Sequence, residues 1–300
     1  MAGSFVRLNR GPNIKNHGET ATLLIDCPDR KGLVAAIAEF LYAHGANILH
    51  ADQHQDQEAG QFFMRVEWAL ADFDLSPEAL IEQFTPLAER LRMNWRVEYS
   101  SAPAKVAIFV SRHLHCLADL LYRQQIGELP CTISIVIGNH PDAKPLTEFY
   151  GIPFYCVPVE SGGKTAAEGR QMELLEDHGV GLVVLARYMQ VLSPKFVARY
   201  PRRIINVHHS FLPAFSGARP YHAAFQRGVK LIGATSHYVT EVLDDGPIIE
   251  QDVTRISHRD QLDHLVQKGR DLERVVLSRA VRWHLDHRIL VYGNKTVVFD

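Results

Sequence analysis

At 300 residues the chain is about twice the common domain length of ~100–150, so it has room for two cores. Its composition, 46% hydrophobic and 22% charged, is that of a folded globular protein and excludes a disordered or fibrous one. Lys+Arg 32 against Asp+Glu 34 leaves a net charge of −2, no field to gather nucleic acid or an anionic membrane, and neither is expected as a partner.

Residues 21–27 (ATLLIDC) are β-like and run into the turn Pro28-Asp29-Arg30. The stretch up to Gly45 places Val34, Ile37, Ala38 and Leu41 on one helical face, and Gly45 closes it. Two β-rich runs, 46–56 and 60–70, flank Gln57-Glu58-Ala59-Gly60 and read as a hairpin. A second helix starts where Ser76 caps and Pro77 takes the first turn, with Leu80, Phe84, Leu87 and Leu91 on its apolar side. Residues 94–100 (NWRVEYS) form the last strand, and the order βαββαβ is that of a ferredoxin-like sandwich.

Over residues 20–100 this order resembles an ACT domain, through the turn Asp26-x-Pro28-Asp29-Arg30-x-Gly32 and the small-residue turn Gly45-Ala46-Asn47-Ile48. The resemblance implies a small amino-acid effector held at Asp29, Arg30, Gly32, Leu33 and Asn47. It also implies sheets paired between chains, and so a homo-oligomer.

Residues 101–105 (SAPAK) are a connector that divides the chain into 1–101 and 102–300. Beyond it, the runs 106–110, 131–138, 153–159, 180–186 and 203–207 are short and almost wholly apolar, as in strands buried on both faces. Helical segments at 114–124, 165–178 and 194–200 separate them, which predicts an α/β domain, doubly wound around a mostly parallel sheet. Residues 230–240 and 247–256 flank Asp244-Asp245-Gly246 as an antiparallel pair. A long helix over 260–284 follows, with Leu262, Leu265, Val266, Leu272, Val275 and Val276 on one side, and a hairpin turning at Gly293-Asn294 ends the chain.

In such sheets ligands bind beyond the carboxyl ends of the strands, which directs attention to 205–222, where a buried strand breaks into a Pro- and Gly-containing loop. Asn206 and His208, two apart and about 6.6 Å along the backbone, face one way and Val207 the other. An amide and an imidazole there make an oxyanion site or a satisfied structural pair. His237 lies in a strand that can neighbour this one, and Asp244 in the turn beyond it. Carboxylate, imidazole and amide together suit attack on a neutral carbonyl carbon.

Asn206-Val207-His208-x-Ser210, Leu212-Pro213 and Leu243-Asp244-x-Gly246-Pro247, preceded by LVVLARYMQVLSP at 182–194, resemble the formyltransferase fold of folate enzymes over about 105–284. The resemblance makes Asn206, His208 and Asp244 catalytic and puts His237 in support. It places the folate against Tyr188, Met189, Gln190, Val191 and Leu192 on one side and Val239, Thr240, Glu241 and the residues up to Asp244 on the other. The glycine-rich loop that cradles an acceptor's phosphate in glycinamide ribonucleotide formyltransferases falls on 110–119, which has no glycine. An ACT-like domain ahead of a formyltransferase-like domain without that loop resembles the formyltetrahydrofolate deformylase family. That implies hydrolysis of 10-formyltetrahydrofolate to tetrahydrofolate and formate, with water activated by Asp244, the oxyanion held by His208 and Asn206, and no separate cofactor. Formyl transfer to an amine and a non-catalytic folate sensor are the alternative readings. A transfer-RNA formyltransferase is disfavoured by the lack of basic excess.

The four cysteines are scattered, no apolar run approaches a membrane span, and residues 1–15 carry no leader pattern, so a reduced, cytoplasmic protein is expected. Gly162-Gly163-Lys164-Thr165 ends like a phosphate loop but lacks the earlier glycine. Among the 16 histidines, His208 and His209 are adjacent on a strand and so face opposite sides, and neither they nor the set around His284 and His287 has a third ligand at sensible spacing; they read as solvated or hydrogen-bonded, and no metal is expected. His113 and His115 stand out only by lying in the altered loop.

Overall fold

The computed structural model describes residues 18–101, 103–213 and 220–299; residues 1–15, read as carrying no leader, and the loop residues 214–219 lie outside these. The chain divides into two compact units, Met1–Ser101 and Ala102–Asp300.

The first unit runs β1 (Thr20–Pro28), α1 (Leu33–Ala43), β2 (Asn47–Asp56), β3 (Gln61–Ala69), α2 (Pro77–Leu91) and β4 (Asn94–Tyr99), the expected βαββαβ. Its sheet has the order β2-β3-β1-β4 with antiparallel neighbours. Ser76 Oγ accepts the Ala79 N–H, so the N-cap performs as its residue type requires. Gly45, at φ 72°, ends α1 so close to the Asp72 carbonyl that a Cβ would lie 2.5 Å from it. The apolar face of α1 is shifted from the expected one: Leu33, Ile37 and Leu41 are buried, while Val34 is exposed and Ala38 only partly covered. In α2, Ala88 joins Leu80 and Phe84 in the core, with Leu87 and Leu91 packed at its rim.

The second unit continues with β5 (Ala104–Val110), α3 (His115–Gln125), β6 (Cys131–Gly138), α4 (Lys144–Phe149), β7 (Phe154–Cys156), α5 (Lys164–Asp177), β8 (Leu182–Leu185), α6 (Pro194–Arg199) and β9 (Ile204–His208). It closes with α7 (Pro220–Arg227), β10 (Leu231–Tyr238), β11 (Ile248–Arg255), α8 (Leu262–Leu285) and the hairpin β12 (Ile289–Tyr292) and β13 (Lys295–Val298). The seven-stranded sheet has the order β11-β10-β9-β8-β5-β6-β7. From β9 to β7 it is parallel, and β10 and β11 add antiparallel. Two apolar clusters cover its faces, one built on Ile108, Val184 and Ile205, the other on Phe109, Val183 and Ile204, so adjacent residues along each inner strand serve opposite cores.

Three expectations need correction. The run 153–159 gives only a three-residue edge strand with Cys156 exposed, because its outer side has no strand to pair with. The stripe of α8 that faces the sheet runs Leu265, Gly269, Glu273, Val276 and Ala280; a glycine and a carboxylate stand in it, which masks the period, and Leu262, Val266, Leu272 and Val275 are only partly buried. The short helices α4 and α7 were not anticipated.

Candidate active site

β9 sits where the sheet changes from parallel to antiparallel, and its C-terminal end carries Asn206 and His208. The register pairs Asn206 with His237 and His208 with Thr235 on β10. Val207 packs into the core below. After β10 the chain makes a loop that returns to β11, cinched where Tyr238 N–H donates to the Pro247 carbonyl at 2.9 Å. Gly246 passes the Tyr238 carbonyl so closely that a Cβ would lie 1.8 Å from its oxygen. Asp244, held at φ 55° in that loop, comes back over the strand end. Aspartate is among the few side chains that enter this left-handed region readily.

The four polar groups interlock. His208 Nδ1 stands 3.3 Å from Asp244 Oδ2, and His237 Nε2 3.7 Å from Asp244 Oδ1. His237 Nδ1 lies 2.9 Å from the Tyr238 carbonyl, which can only accept, so that nitrogen carries the proton. Burial lowers the pKa of His237 and keeps the ring neutral, leaving Nε2 as an acceptor. Asn206 Nδ2, 3.2 Å away, must then be the donor to it. This fixes the amide's orientation and leaves its second N–H free for a ligand. The hydrogen bond from His208 holds the Asp244 carboxyl below the ordinary aspartate range, against the opposing effect of burial. His208 Nε2 is buried and has no hydrogen-bond partner among the described residues.

A cavity of about 370 Å³ opens beside this cluster, beyond the carboxyl ends of β8 and β9. It is lined by Tyr188, Met189, Gln190, Val191 and Leu192 on one side and by Val239, Thr240, Glu241 and the residues up to Asp244 on the other, with Asn206, His208 and His237 between. All the expected folate residues therefore line one cavity. The first wall is positioned from behind by α5: Gln171 Nε2 donates to Tyr188 Oη at 2.9 Å, and the buried Glu168 accepts from Ser193 N–H and Oγ–H.

Four lining residues were not foreseen: Leu185, Arg187, Val207 and His209. Alternation along β9 predicted that His209 would face away from His208, but the strand ends at His208, and the two rings lie with centroids 5.2 Å apart. Arg187 follows β8 at φ 62°, a conformation no residue-level pattern announces.

Behind Arg187 lies a buried polar knot. Glu273, 1% exposed on α8, accepts from Tyr221 Oη–H at 2.7 Å, lies 2.7 Å from His115 Nε2, and has Arg187 Nε at 3.4 Å. Burial opposes its charge, but these partners hold its pKa below the ordinary glutamate value. Cys116 brings its sulfur near His115 and Glu273, all ligand atoms lying within 4.8 Å of one another. Burial, then the Glu273 carboxylate, pushes that thiol well up, and the carboxylate is already engaged by two donors and a guanidinium. The donor set is a hydrogen-bonded network rather than a cation cradle. His284, read as bonded or solvated, lies 2.8 Å from Tyr238 Oη.

In the first unit Asp29, Arg30, Gly32 and Leu33 line a shallow cleft together with Gln53, His54 and Gln55 of β2. Gly32 caps α1 at φ 90°, and Gln55 Nε2 donates to Asp29 Oδ2. Asn47 is not part of this cleft: it starts β2, opposite Ala69, at the other end of the strand.

Residues 104–281 match the family described as formyl transferase, and residues 21–88 match the ACT domain. The chain is 55% identical to the formyltetrahydrofolate deformylase of Synechocystis sp., over 93% of this chain and 98% of that one. A crystal structure of a formyltetrahydrofolate deformylase from Pseudomonas syringae pv. tomato superposes with a TM-score of 0.91 at 50% identity, covering 94% of this chain and 95% of that one. A glycinamide ribonucleotide transformylase from Symbiobacterium toebii superposes with a TM-score of 0.63 at 28% identity, covering 67% of this chain and 97% of that one.

Proposed function

The chain belongs to the formyltetrahydrofolate deformylases, and from that premise we propose which of its residues carry the reaction. The activity is hydrolysis of 10-formyltetrahydrofolate to tetrahydrofolate and formate. The folate lies in the 370 Å³ cavity between the walls 188–192 and 239–244, with its formyl carbon over Asn206. Asp244, ionised at neutral pH, orients a water and takes its proton as the oxygen bonds to the formyl carbon. Carrying a proton on each ring nitrogen, His208 donates from Nδ1 to Asp244 and from Nε2 to the oxygen that gains charge, and the free Asn206 N–H is the second donor, each worth about 3–4 kcal/mol of barrier. When the bond to the folate nitrogen breaks, the proton returns to that nitrogen and formate leaves. The formyl folate is substrate, and the scheme needs no cofactor.

The observation that carries this reading is the state of His208: one ring nitrogen is held by an ionised carboxylate, and the other is buried with no partner among the described residues. Such a nitrogen is costly to bury unless something at the site bonds to it. His237 supports the arrangement by orienting Asn206. Asp244→Asn should lower formate release by about 10²–10⁴-fold while leaving folate affinity near its wild-type value. Near-native release in a purified assay would show that another group activates the water.

For the first unit, the reading is a small amino-acid effector in the cleft of Asp29, Arg30, Gly32 and Leu33, supported by the match to the ACT domain. Ile48 and Leu49 are 38% and 37% exposed on the edge strand β2, which supports pairing with a second copy of the chain. A cytoplasmic setting is supported by four free cysteines, three of them buried. No helix among the described residues is long and apolar enough to cross a membrane.

A further inference from the structure

Arg187 joins an unusual backbone to a buried charge at the edge of the active cavity. Its backbone is in the left-handed region, at φ 62°, where glycine is the unstrained choice. The position instead carries a large side chain, nine-tenths buried, whose Nε and Nη1 have no hydrogen-bond partner among the described residues. Strain kept beside a reacting centre points to a side chain that is needed there. The residue lines the same cavity as Asn206, His208 and Asp244.

Its guanidinium leans away from the folate walls. Nε lies 3.4 Å from Glu273 Oε2, and the other Glu273 oxygen accepts from Tyr221, whose ring centroid is 6.0 Å from that of His209. Arg187 and His209 both line the cavity, and behind it Glu273 and Tyr221 connect them. Glu273 anchors the Arg187 side chain, and the backbone is pinned by Ser111, whose N–H donates to the Arg187 carbonyl at 3.3 Å and whose Oγ accepts the Met189 N–H at 3.0 Å. The folate occupies the two walls and β9 forms the floor. A nucleophile larger than water needs space for its substituent, and the His209 flank is where that space would be.

We propose that Arg187 is a specificity-determining residue: by filling the His209 flank it limits the nucleophile to water and keeps amines from the formyl carbon. This rests on the assignment of Asn206, His208 and Asp244 above. Hydrolysis and transfer differ only in the attacking atom. With an amine, the new bond is carbon to amine nitrogen, the bond to the folate nitrogen breaks, and the proton lost by the amine ends on the folate nitrogen.

The test is product partition. Wild-type enzyme turning over 10-formyltetrahydrofolate with excess glycinamide should yield formate and no N-formylglycinamide. Arg187→Gly, which also relaxes the backbone, should raise the ratio of N-formylglycinamide to formate by about 10–200-fold over the detection floor set by wild type. Arg187→Lys and Arg187→Met, which retain bulk, should restore a formate-only outcome. If Arg187→Gly does not fold, Glu273→Gln serves, since it keeps a side-chain carbonyl oxygen to accept from Tyr221 while removing the charge that holds the guanidinium, and it should raise the ratio in the same direction. A folded, active Arg187→Gly enzyme with unchanged partition would overturn the proposal, as would lysine or methionine variants that partition like glycine. Adding Asp244→Asn to Arg187→Gly should lower both products by about 10²–10⁴-fold. Near-unchanged formation of either would sink the assignment of Asp244 and leave the partition result standing.

Discussion

In the first unit the polar side chains of the cleft, Asp29, Arg30, Gln53, His54 and Gln55, are exposed, with Gln55 donating to Asp29. In the second, Asn206, His208, His237 and Asp244 come from two strands and a loop, with His208 bonded to Asp244 and Asn206 bonded to His237, His237 being 2% exposed and His208 6%. The contrast follows from the work each site does. A site that binds a ligand at equilibrium tolerates adjustment of its groups on arrival, whereas donors aimed at a transition state act only if they are already fixed. The deeper site is therefore the one where a small displacement has the larger effect.

Gly246→Ala is the severest way to press on that difference. The added methyl would stand 1.8 Å from the Tyr238 oxygen, and the loop has to move to make room, taking Asp244 with it. A displacement of about 1 Å at a reacting group costs about 10²-fold or more in rate. Formate release should fall by at least that factor, with helical content by circular dichroism unchanged. An equally active alanine variant would mean that Asp244 is not positioned by this crossing. At Gly32 in the first-unit cleft a Cβ meets nothing within 4 Å, so a substitution there acts through backbone strain at φ 90° rather than through a collision.

An effect of middle size concerns pH. His208 holds the Asp244 carboxyl below the ordinary aspartate range, so folding favours the ionised form. The stability linked to that shift is present above the unfolded pKa, near 3.9, and is lost as pH falls through the lower folded value. Denaturant unfolding of wild type and Asp244→Asn should differ most near neutrality, and the gap should close below about pH 4. A gap that stays constant from pH 7 to 3 would mean that the His208 contact does not stabilise the carboxylate.

The same contrast explains which residues are legible in the sequence. Strand alternation put Asn206 and His208 together, and the pairing of β9 with β10 placed His237 beside them, because a period of two and an antiparallel neighbour are properties of the local sequence. Arg187 and Glu273 were invisible for the opposite reason. The position of Arg187 depends on a backbone dihedral after β8. Glu273 has the sequence character of a solvent-facing charge on α8, and only the arrival of His115, Tyr221 and Arg187 from three other segments makes it a buried one. His209 was misassigned since alternation holds only while the strand lasts, and β9 ends one residue before it. Asn47 was placed with the effector by the resemblance to an ACT domain, but a ten-residue strand carries that end of β2 away from the cleft.

That last displacement yields the smallest expected effect. Asp29 and Gln55 touch in the cleft, so replacing Asp29 removes both a charge and the partner of the Gln55 amide, whereas Asn47 begins β2 opposite Ala69 and contributes nothing to the cleft lining. If a small amino acid binds among Asp29, Arg30 and Gly32, a screen of free amino acids by thermal shift should find one that raises the melting temperature of wild type. Asp29→Ala should abolish that shift, and Asn47→Ala should keep it. A shift lost in Asn47→Ala and kept in Asp29→Ala would move the effector to the far end of β2, toward the exposed Ile48 and Leu49, and so to the edge at which a second chain would pair.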